Sequence, residues 1–331
     1  MSLLSIRNLQ TEFRGPAGIA RAVDGVSFDV NPGEIFGIVG ESGCGKSATC
    51  RSILRLFAGA TARIVGGEVI LEGTGDLAQM RESELARVRG SEVAFIFQDP
   101  LTALNPTMRI GKQVAEVIRR HRKVSRTQAR DAALQLLRDV HITSPERRLD
   151  AFPHELSGGL RQRVVIAMAL ALQPRLIIAD EPTTALDVTV QDQILRLLKE
   201  RRDSTGTSII FITHDLGVVS QICDRMAVMY AGRVVETGPV RQVLDQPSHP
   251  YTRALLDALP GQVARDRDLT PIEGSPPSLI APPAGCRFAP RCRVARPGCA
   301  RGAAPALKPR PGVAADHLDA CILTEVPDAA A

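Results

Sequence analysis

Tryptophan is absent from this sequence, tyrosine occurs only twice, and all aromatic residues together make up 3% of 331 positions. A protein that grips single-stranded nucleic acid mainly by stacking bases on aromatic rings needs more of them, so that class is disfavoured. Long apolar runs are also missing. The longest, Val164 to Leu172, falls well short of the roughly 20 residues that a membrane-crossing helix needs. The opening residues Met1 to Arg7 lack a basic start followed by a sustained apolar stretch, so no secretory signal is expected and any membrane role is expected to be peripheral. None of the seven cysteines forms the paired C-x2-C of common zinc sites, and no internal repeat is visible. Charge of one sign is not concentrated either: the formal net charge is +5. That is mild for this length and reads most simply as a solvated surface, with a basic face toward phosphate or anionic lipid left open.

Hydrophobic residues at 44% and charged residues at 23% suit a globular chain, long enough for one large α/β domain and a smaller appendage. Two strand-like stretches, 3–11 and 22–30, flank a Gly15-Pro-Ala-Gly18 turn. A short buried strand is expected over 34–39, a loop over 40–45 and a helix over 46–57. This order opens a mononucleotide-binding unit. Apolar residues at three- and four-residue intervals between about Met108 and Val140 predict a basic, amphipathic helical lobe. A second helix runs from Ser157 to Leu172. The runs 176–179 and 208–213 read as central parallel strands, and 227–230 with 233–236 as a hairpin. After about Pro247 the composition turns to Pro, Gly, Ala and Arg with four cysteines, which marks a small module of little periodicity.

Gly40-Glu-Ser-Gly-Cys-Gly-Lys46-Ser47 fits G-x-x-x-x-G-K-[ST] at each fixed position, between an expected strand and helix. Its glycines let backbone N–H groups approach a β-phosphate, and the helix start favours the anion. Lys46 is placed to reach the β/γ-phosphates and the Ser47 hydroxyl to bind Mg²⁺. A second apolar strand ends in Asp180-Glu181; beside the glycine loop, Asp180 is expected in the Mg²⁺ shell and Glu181 against the attacking water. Leu156-Ser-Gly-Gly159 precedes a helix that Ser157 would cap, with N–H groups open to an anion.

With Gln98 in Phe97-Gln-Asp-Pro100, Asp187 in Asp180-Glu-Pro-Thr-Thr-Ala-Leu-Asp187, and His214 in Ile212-Thr-His-Asp215, these motifs resemble the ATP-binding cassette family in order and spacing, over about residues 3–250. The resemblance implies a P-loop NTPase fold: a RecA-like parallel sheet core, an antiparallel β subdomain and a helical subdomain near 99–165, together spanning 1–250. It implies catalytic roles for Lys46, Gln98, Glu181 and His214. ATP would contact Phe13, Gly40, Ser42, Gly43, Cys44, Gly45, Lys46, Ser47 and Ala48 of one chain, and Mg²⁺ would take Ser47, Gln98 and Asp180. Ser157, Gly158 and Gly159 would touch the γ-phosphate held by a second ATPase subunit, identical or a paralogue, and Asp187 would contact that facing subunit. The other implied partners are two transmembrane permease subunits and, indirectly, an extracytoplasmic solute-binding protein. Nucleic acid is not among them, and the chain would sit on the cytoplasmic face of the cell membrane. Leu160 departs from the Gln common after Ser-Gly-Gly. A non-transport cassette acting on DNA or ribosomes would need a long coiled-coil arm, for which Lys46 and Ser157 stand too close in sequence. A catalytically silent cassette is disfavoured by the presence of both Glu181 and His214.

The module over 251–331 carries Cys286, Cys292, Cys299 and Cys321, spaced C-x5-C-x6-C-x21-C. Four thiolates can hold a [4Fe–4S] cluster or Zn²⁺, or stay unligated; a disulfide framework is not expected in the cytosol. Gly285 to Cys292 and Ser248-His-Pro-Tyr-Thr252 resemble the C-terminal domain of ATP-binding subunits of oligopeptide and dipeptide importers. That resemblance implies a [4Fe–4S] cluster on the four cysteines and a di- or oligopeptide as cargo, with nickel, glutathione or another small solute as the alternative.

Overall fold

The computed structural model describes residues 2–57, 59, 61–184, 186–258, 271–310 and 315–323. Two compact units share the chain: Met1–Asn31, Phe36–Gln79 and Thr213–Ala331 form the first, Pro32–Ile35 and Met80–Ile212 the second.

The first unit opens with the hairpin β1 (Leu4–Gly15) and β2 (Gly18–Val30), closed at Gly15 opposite Gly18. On β1 the buried residues are Leu4, Ile6, Leu9 and Thr11, a period of two broken once. The break is a bulge: the register shifts between Ile6 and Leu9, where Asn8 takes a φ of 46°, so one extra residue is absorbed and both flanks keep their apolar side inward. Strand β3 (Ile35–Val39) is buried along its whole length and leads through the glycine loop to α1 (Lys46–Ile53). The helix stops short of the expected Phe57. Arg55 turns left-handed at φ 49°, and the N–H groups of Leu56 and Arg55 close onto the carbonyls of Arg51 and Ser52. This is a Schellman end built on arginine where glycine is usual, so composition carries no stop signal. β4 (Ala62–Leu71) and β5 (Gly75–Asp76) complete an antiparallel sheet in the order β2-β1-β4-β5.

The second unit contains α2 (Glu82–Val88), β6 (Val93–Ile96), α3 (Pro100–Ala103), α4 (Ile110–His121), α5 (Arg126–Asp139), α6 (Pro145–Arg148), α7 (Gly158–Leu170), β7 (Leu176–Asp180), α8 (Val188–Thr205) and β8 (Ser208–Ile212). Strands β6, β7 and β8 pair in parallel, and β7 and β8 are buried throughout, as continuous apolar runs require. The periodic stretch near 108–140 is two helices. Ser125 interrupts it by capping α5: its Oγ accepts from the Gln128 N–H at 3.1 Å while Gln128 Oε1 accepts from the Ser125 N–H at 2.9 Å.

The chain then returns to the first unit with α9 (Leu216–Ile222), the expected hairpin β9 (Arg225–Tyr230) and β10 (Arg233–Pro239), then α10 (Val240–Asp245) and α11 (Pro250–Asp257). β9 runs parallel to β3. The Cys-containing module is built mostly of turns, with the short pair β11 (Lys308–Pro309) and β12 (Leu318–Asp319), and β12 adds to β10 at Glu236 opposite Asp319. Glu236 is the fastener. Fully buried, its carboxylate accepts from the Ser248 N–H at 2.7 Å, the His249 N–H at 2.9 Å and His317 Nε2 at 2.7 Å. The chain's two tyrosines, Tyr230 and Tyr251, close the attachment with Phe288, their ring centroids 4.6–5.3 Å apart.

Candidate nucleotide site

In the first unit, two glycines shape the loop between β3 and α1. Gly40 has φ 150° and Gly45 φ 106°, the left-handed side of backbone space that side chains resist. A Cβ on Gly40 would strike the Met229 carbonyl of β9; one on Gly45 would strike the Ala22 carbonyl of β2. The loop is thus wedged against two strands at its ends, while Ser42 and Gly43 form an exposed crest. The Gly232 N–H donates to the Cys44 carbonyl at 2.7 Å. The Cys44 thiol is buried, and burial pushes its pKa up, with Lys46 opposing. It behaves as a small apolar wedge. The Lys46 side chain folds back over the loop, Nζ donating to the carbonyls of Gly40 at 2.8 Å and Glu41 at 3.1 Å. Ser47 and Ala48 lie half-buried in the first turn of α1. The glycine cradle, a lysine at its base and a hydroxyl at the helix start make a donor set suited to a Mg²⁺-bound polyphosphate. Phe13, half-buried on β1, meets Phe57 edge-on with 6.0 Å between centroids.

In the second unit, β7 ends in the fully buried Asp180, and the chain turns sharply at Glu181. Glu181 has φ 47°, a strained value for a residue with a side chain, of a kind that clusters at functional sites. Its N–H donates to the Ile212 carbonyl at 3.0 Å. One carboxylate oxygen, Oε2, accepts from Gln98 Nε2 at 3.0 Å and from Thr184 Oγ1 at 2.9 Å. The fold therefore brings Gln98 to Glu181, although 83 positions separate them. It also recruits Thr184, whose contribution motif spacing does not reveal. Ser157 caps α7, accepting from the Leu160 N–H at 3.4 Å, and stays exposed with Gly158. At Gly159 a Cβ would press into the Val190 side chain at 2.6 Å, so this glycine is needed for close packing as well as for an open backbone. Asp187 caps α8 through the Val190 N–H at 2.9 Å. His214, in the first unit, is exposed.

Comparison with known proteins decides the family. The family described as "ABC transporter" matches residues 23–184, and that described as "Oligopeptide/dipeptide transporter, C-terminal region" matches 235–299. The oligopeptide transport ATP-binding protein OppD of Bacillus subtilis is 51% identical over 294 residues, 88% of this chain and 82% of its own length. The dipeptide transport ATP-binding protein DppD of the same organism is 50% identical over 290 residues, 88% and 86% of the two chains. The chain belongs to the ABC transporter family. Its fold is the family's cassette: the dimeric ATP-binding cassette MJ0796 in a post-hydrolysis state bound to ADP and Pi superposes with a TM-score of 0.65 at 28% identity, covering 72% of this chain and 99% of that one. The cassette is an ATPase of the ABC transporter type, and among the described residues no helix is long and apolar enough to cross a membrane.

The metal expectation for the C-terminal module needs correction. Cys286, Cys292, Cys299 and Cys321 form no disulfide, nor do Cys44, Cys50 and Cys223. Burial raises the pKa of Cys286 and Cys292, and neighbouring thiols add to the rise, so the four lie in one neighbourhood. Among the described residues, however, no group of three or more Cys, His, Asp or Glu side chains is arranged to hold a metal. Neither the [4Fe–4S] cluster nor Zn²⁺ is supported. The module is held instead by Glu236, by the aromatic cluster and by arginine contacts, which need no metal staple.

Proposed function

We propose that this chain is the ATP-hydrolysing subunit of an importer for di- or oligopeptides, working at the cytoplasmic face of the cell membrane with a second ATPase subunit, two transmembrane permease subunits and, indirectly, an extracytoplasmic solute-binding protein. The observation that carries the cargo class is the C-terminal region match over 235–299, together with relatives named for dipeptide and oligopeptide transport.

In this reading the loop residues Gly40, Ser42, Gly43, Cys44, Gly45, Lys46, Ser47 and Ala48 cradle the phosphates. Lys46 leaves its carbonyl partners to meet the β- and γ-oxygens, and Phe13 stacks on adenine. Ser47, Gln98 and Asp180 hold Mg²⁺, which neutralises phosphate charge when bound. Glu181 orients and polarises the attacking water. Gln98 and Thr184, both bonded to the same Glu181 oxygen, fix the direction of that carboxylate, and His214 contacts the γ-phosphate. The exposed Ser157 and Gly158, with the half-buried Gly159, at the start of α7 close over the nucleotide of the facing subunit, and Asp187 adjoins that subunit. The domain division follows the same reading: a cassette over 1–250, with a helical subdomain near 99–165, and a C-terminal domain over 251–331. No step runs through the four cysteines. Iron and acid-labile sulfide measured on anaerobically purified protein check this point, and stoichiometric amounts of both would restore the cluster.

The deciding experiment purifies the chain with its permease subunits in lipid and measures ATP hydrolysis as peptide-loaded solute-binding protein is added. Peptide stimulates turnover if the reading is right. Stimulation by nickel or glutathione, but not by peptides of two to five residues, would reassign the cargo while leaving the ATPase role intact.

A further inference from the structure

Glu41 is the second residue of the glycine loop, at a position whose identity the phosphate motif leaves open, and groups from the far end of the chain take hold of it from two sides. Arg291 meets its carboxylate as a fork, Nη1 donating to Oε2 at 2.7 Å and Nη2 to Oε1 at 3.1 Å, across 250 positions of sequence. The guanidinium is itself fixed: it donates to the carbonyls of Glu273 at 2.9 Å and Ile272 at 3.2 Å and to the Tyr230 hydroxyl at 3.3 Å, and lies 5.8 Å from the Tyr230 ring centroid. Tyr251, in the first turn of α11, takes the backbone: its hydroxyl accepts from the Glu41 N–H at 2.9 Å. The carbonyl of Glu41 is one of the two that hold Lys46. All three polar groups of one loop residue are therefore occupied, two by the C-terminal part of the chain and one by the phosphate-binding lysine.

Attachment of the module does not require this arrangement, because the buried aromatic cluster and the Glu236 hub already supply it. A shielded ion pair contributes little net stability compared with apolar packing. What a bidentate fork adds is a single geometry. The Arg291 side chain is 5% exposed and that of Glu41 26%, so solvent competes weakly for the pair and one loop conformation is held. We propose that Arg291 and Tyr251 are positioning residues for the nucleotide: through Glu41 they hold the loop, and with it the starting position of Lys46, in the form that receives the phosphates. The C-terminal module thereby becomes a working part of the ATP site. This inference rests on the nucleotide reading of the loop.

The test uses the full-length chain assembled with its permease, with steady-state ATP hydrolysis and binding of a fluorescent ATP analogue as readouts. Arg291→Ala removes an interaction made equally in ground and transition states, so it should raise KM for ATP and the analogue's Kd by about tenfold while kcat changes by less than about twofold. Arg291→Lys, which keeps the charge and loses the fork, should fall between. Tyr251→Phe should raise KM by about threefold. Glu41→Gln combined with Arg291→Ala should be no worse than the more severe single change, and Glu41→Arg with Arg291→Glu should recover part of the loss. A KM unchanged in Arg291→Ala, whatever its thermal midpoint, reduces the contact to simple attachment and overturns the proposal. If that variant does not fold, unchanged KM in both Arg291→Lys and Tyr251→Phe overturns it equally. A wild-type chain that fails to bind ATP sinks the nucleotide reading and this inference with it, whereas wild-type binding with indifferent variants sinks the inference alone.

Discussion

Glu181 combines three features that seldom meet by chance: it follows a buried strand, it adopts a left-handed backbone, and two side chains donate to one of its oxygens. Positioning and charge stabilisation dominate phosphoryl transfer, so Glu181→Gln should lower turnover by about two orders of magnitude or more while nucleotide affinity persists. Phosphate release and analogue binding, measured together, check it, and near-normal hydrolysis would remove Glu181 from its role. Thr184→Val leaves the carboxylate in place but removes one of the donors to its Oε2. Turnover should fall by about three- to tenfold, in keeping with one hydrogen bond of about 1 kcal/mol, and ATP affinity should not change. The sequence pointed to Glu181 because a carboxylate pair ends an apolar strand in a chain that also carries a glycine phosphate loop. It did not point to Thr184, since a hydroxyl three positions away becomes a donor only once the turn at Glu181 is made.

Among the elements, the glycine loop is tightly constrained, because its backbone touches two strands at once. Gly45→Ala would drive a methyl group into the Ala22 carbonyl, and neither backbone can yield without moving the hairpin or α1. Nucleotide Kd should rise by at least about tenfold, equivalent to about 1.4 kcal/mol, as read by isothermal titration. Gly43→Ala meets no atom within 4 Å and carries only the strain of its own φ of 77°, so its effect should be smaller. The loop and the strands β1, β2, β3, β7, β8, β9 and β10 were readable from period and turn chemistry, whereas β4, β5, β6, β11 and β12 were not. Element ends were less so. The stop of α1 is set by a Schellman turn on Arg55, and the break between α4 and α5 by a capping box at Ser125, both of which depend on backbone geometry that apolar period does not encode.

Within the first unit as a whole, stability should depend on pH through the C-terminal fastening. Burial lowers the pKa of His249 from 6.5 to about 4, against an opposing pull from Glu236. Folded His249 is thus neutral where an unfolded chain would take up a proton. Above about pH 6.5 the ring is neutral in both states and contributes no pH dependence. As pH falls from 6.5 toward 4 the unfolded state binds more protons, and stability declines by an amount on the order of 3 kcal/mol. Thermal midpoints measured across that window should show the decline. His249→Asn, which keeps an acceptor for the first N–H groups of α11, should flatten it.

Family and chemistry were determined by the sequence alone. A phosphate loop, a strand ending in two carboxylates and a Ser-Gly-Gly helix start each need local chain geometry that short motifs encode. Only the tertiary structure decided that Gln98 and Thr184 share one oxygen of Glu181, and that the four cysteines lack a metal-holding arrangement. It alone placed Arg291 and Tyr251 on Glu41. The Thr184 contact needs the turn at Glu181, and the others join residues 83 or more positions apart in the chain. They exist because packed strands and buried aromatics carry distant segments to the same place.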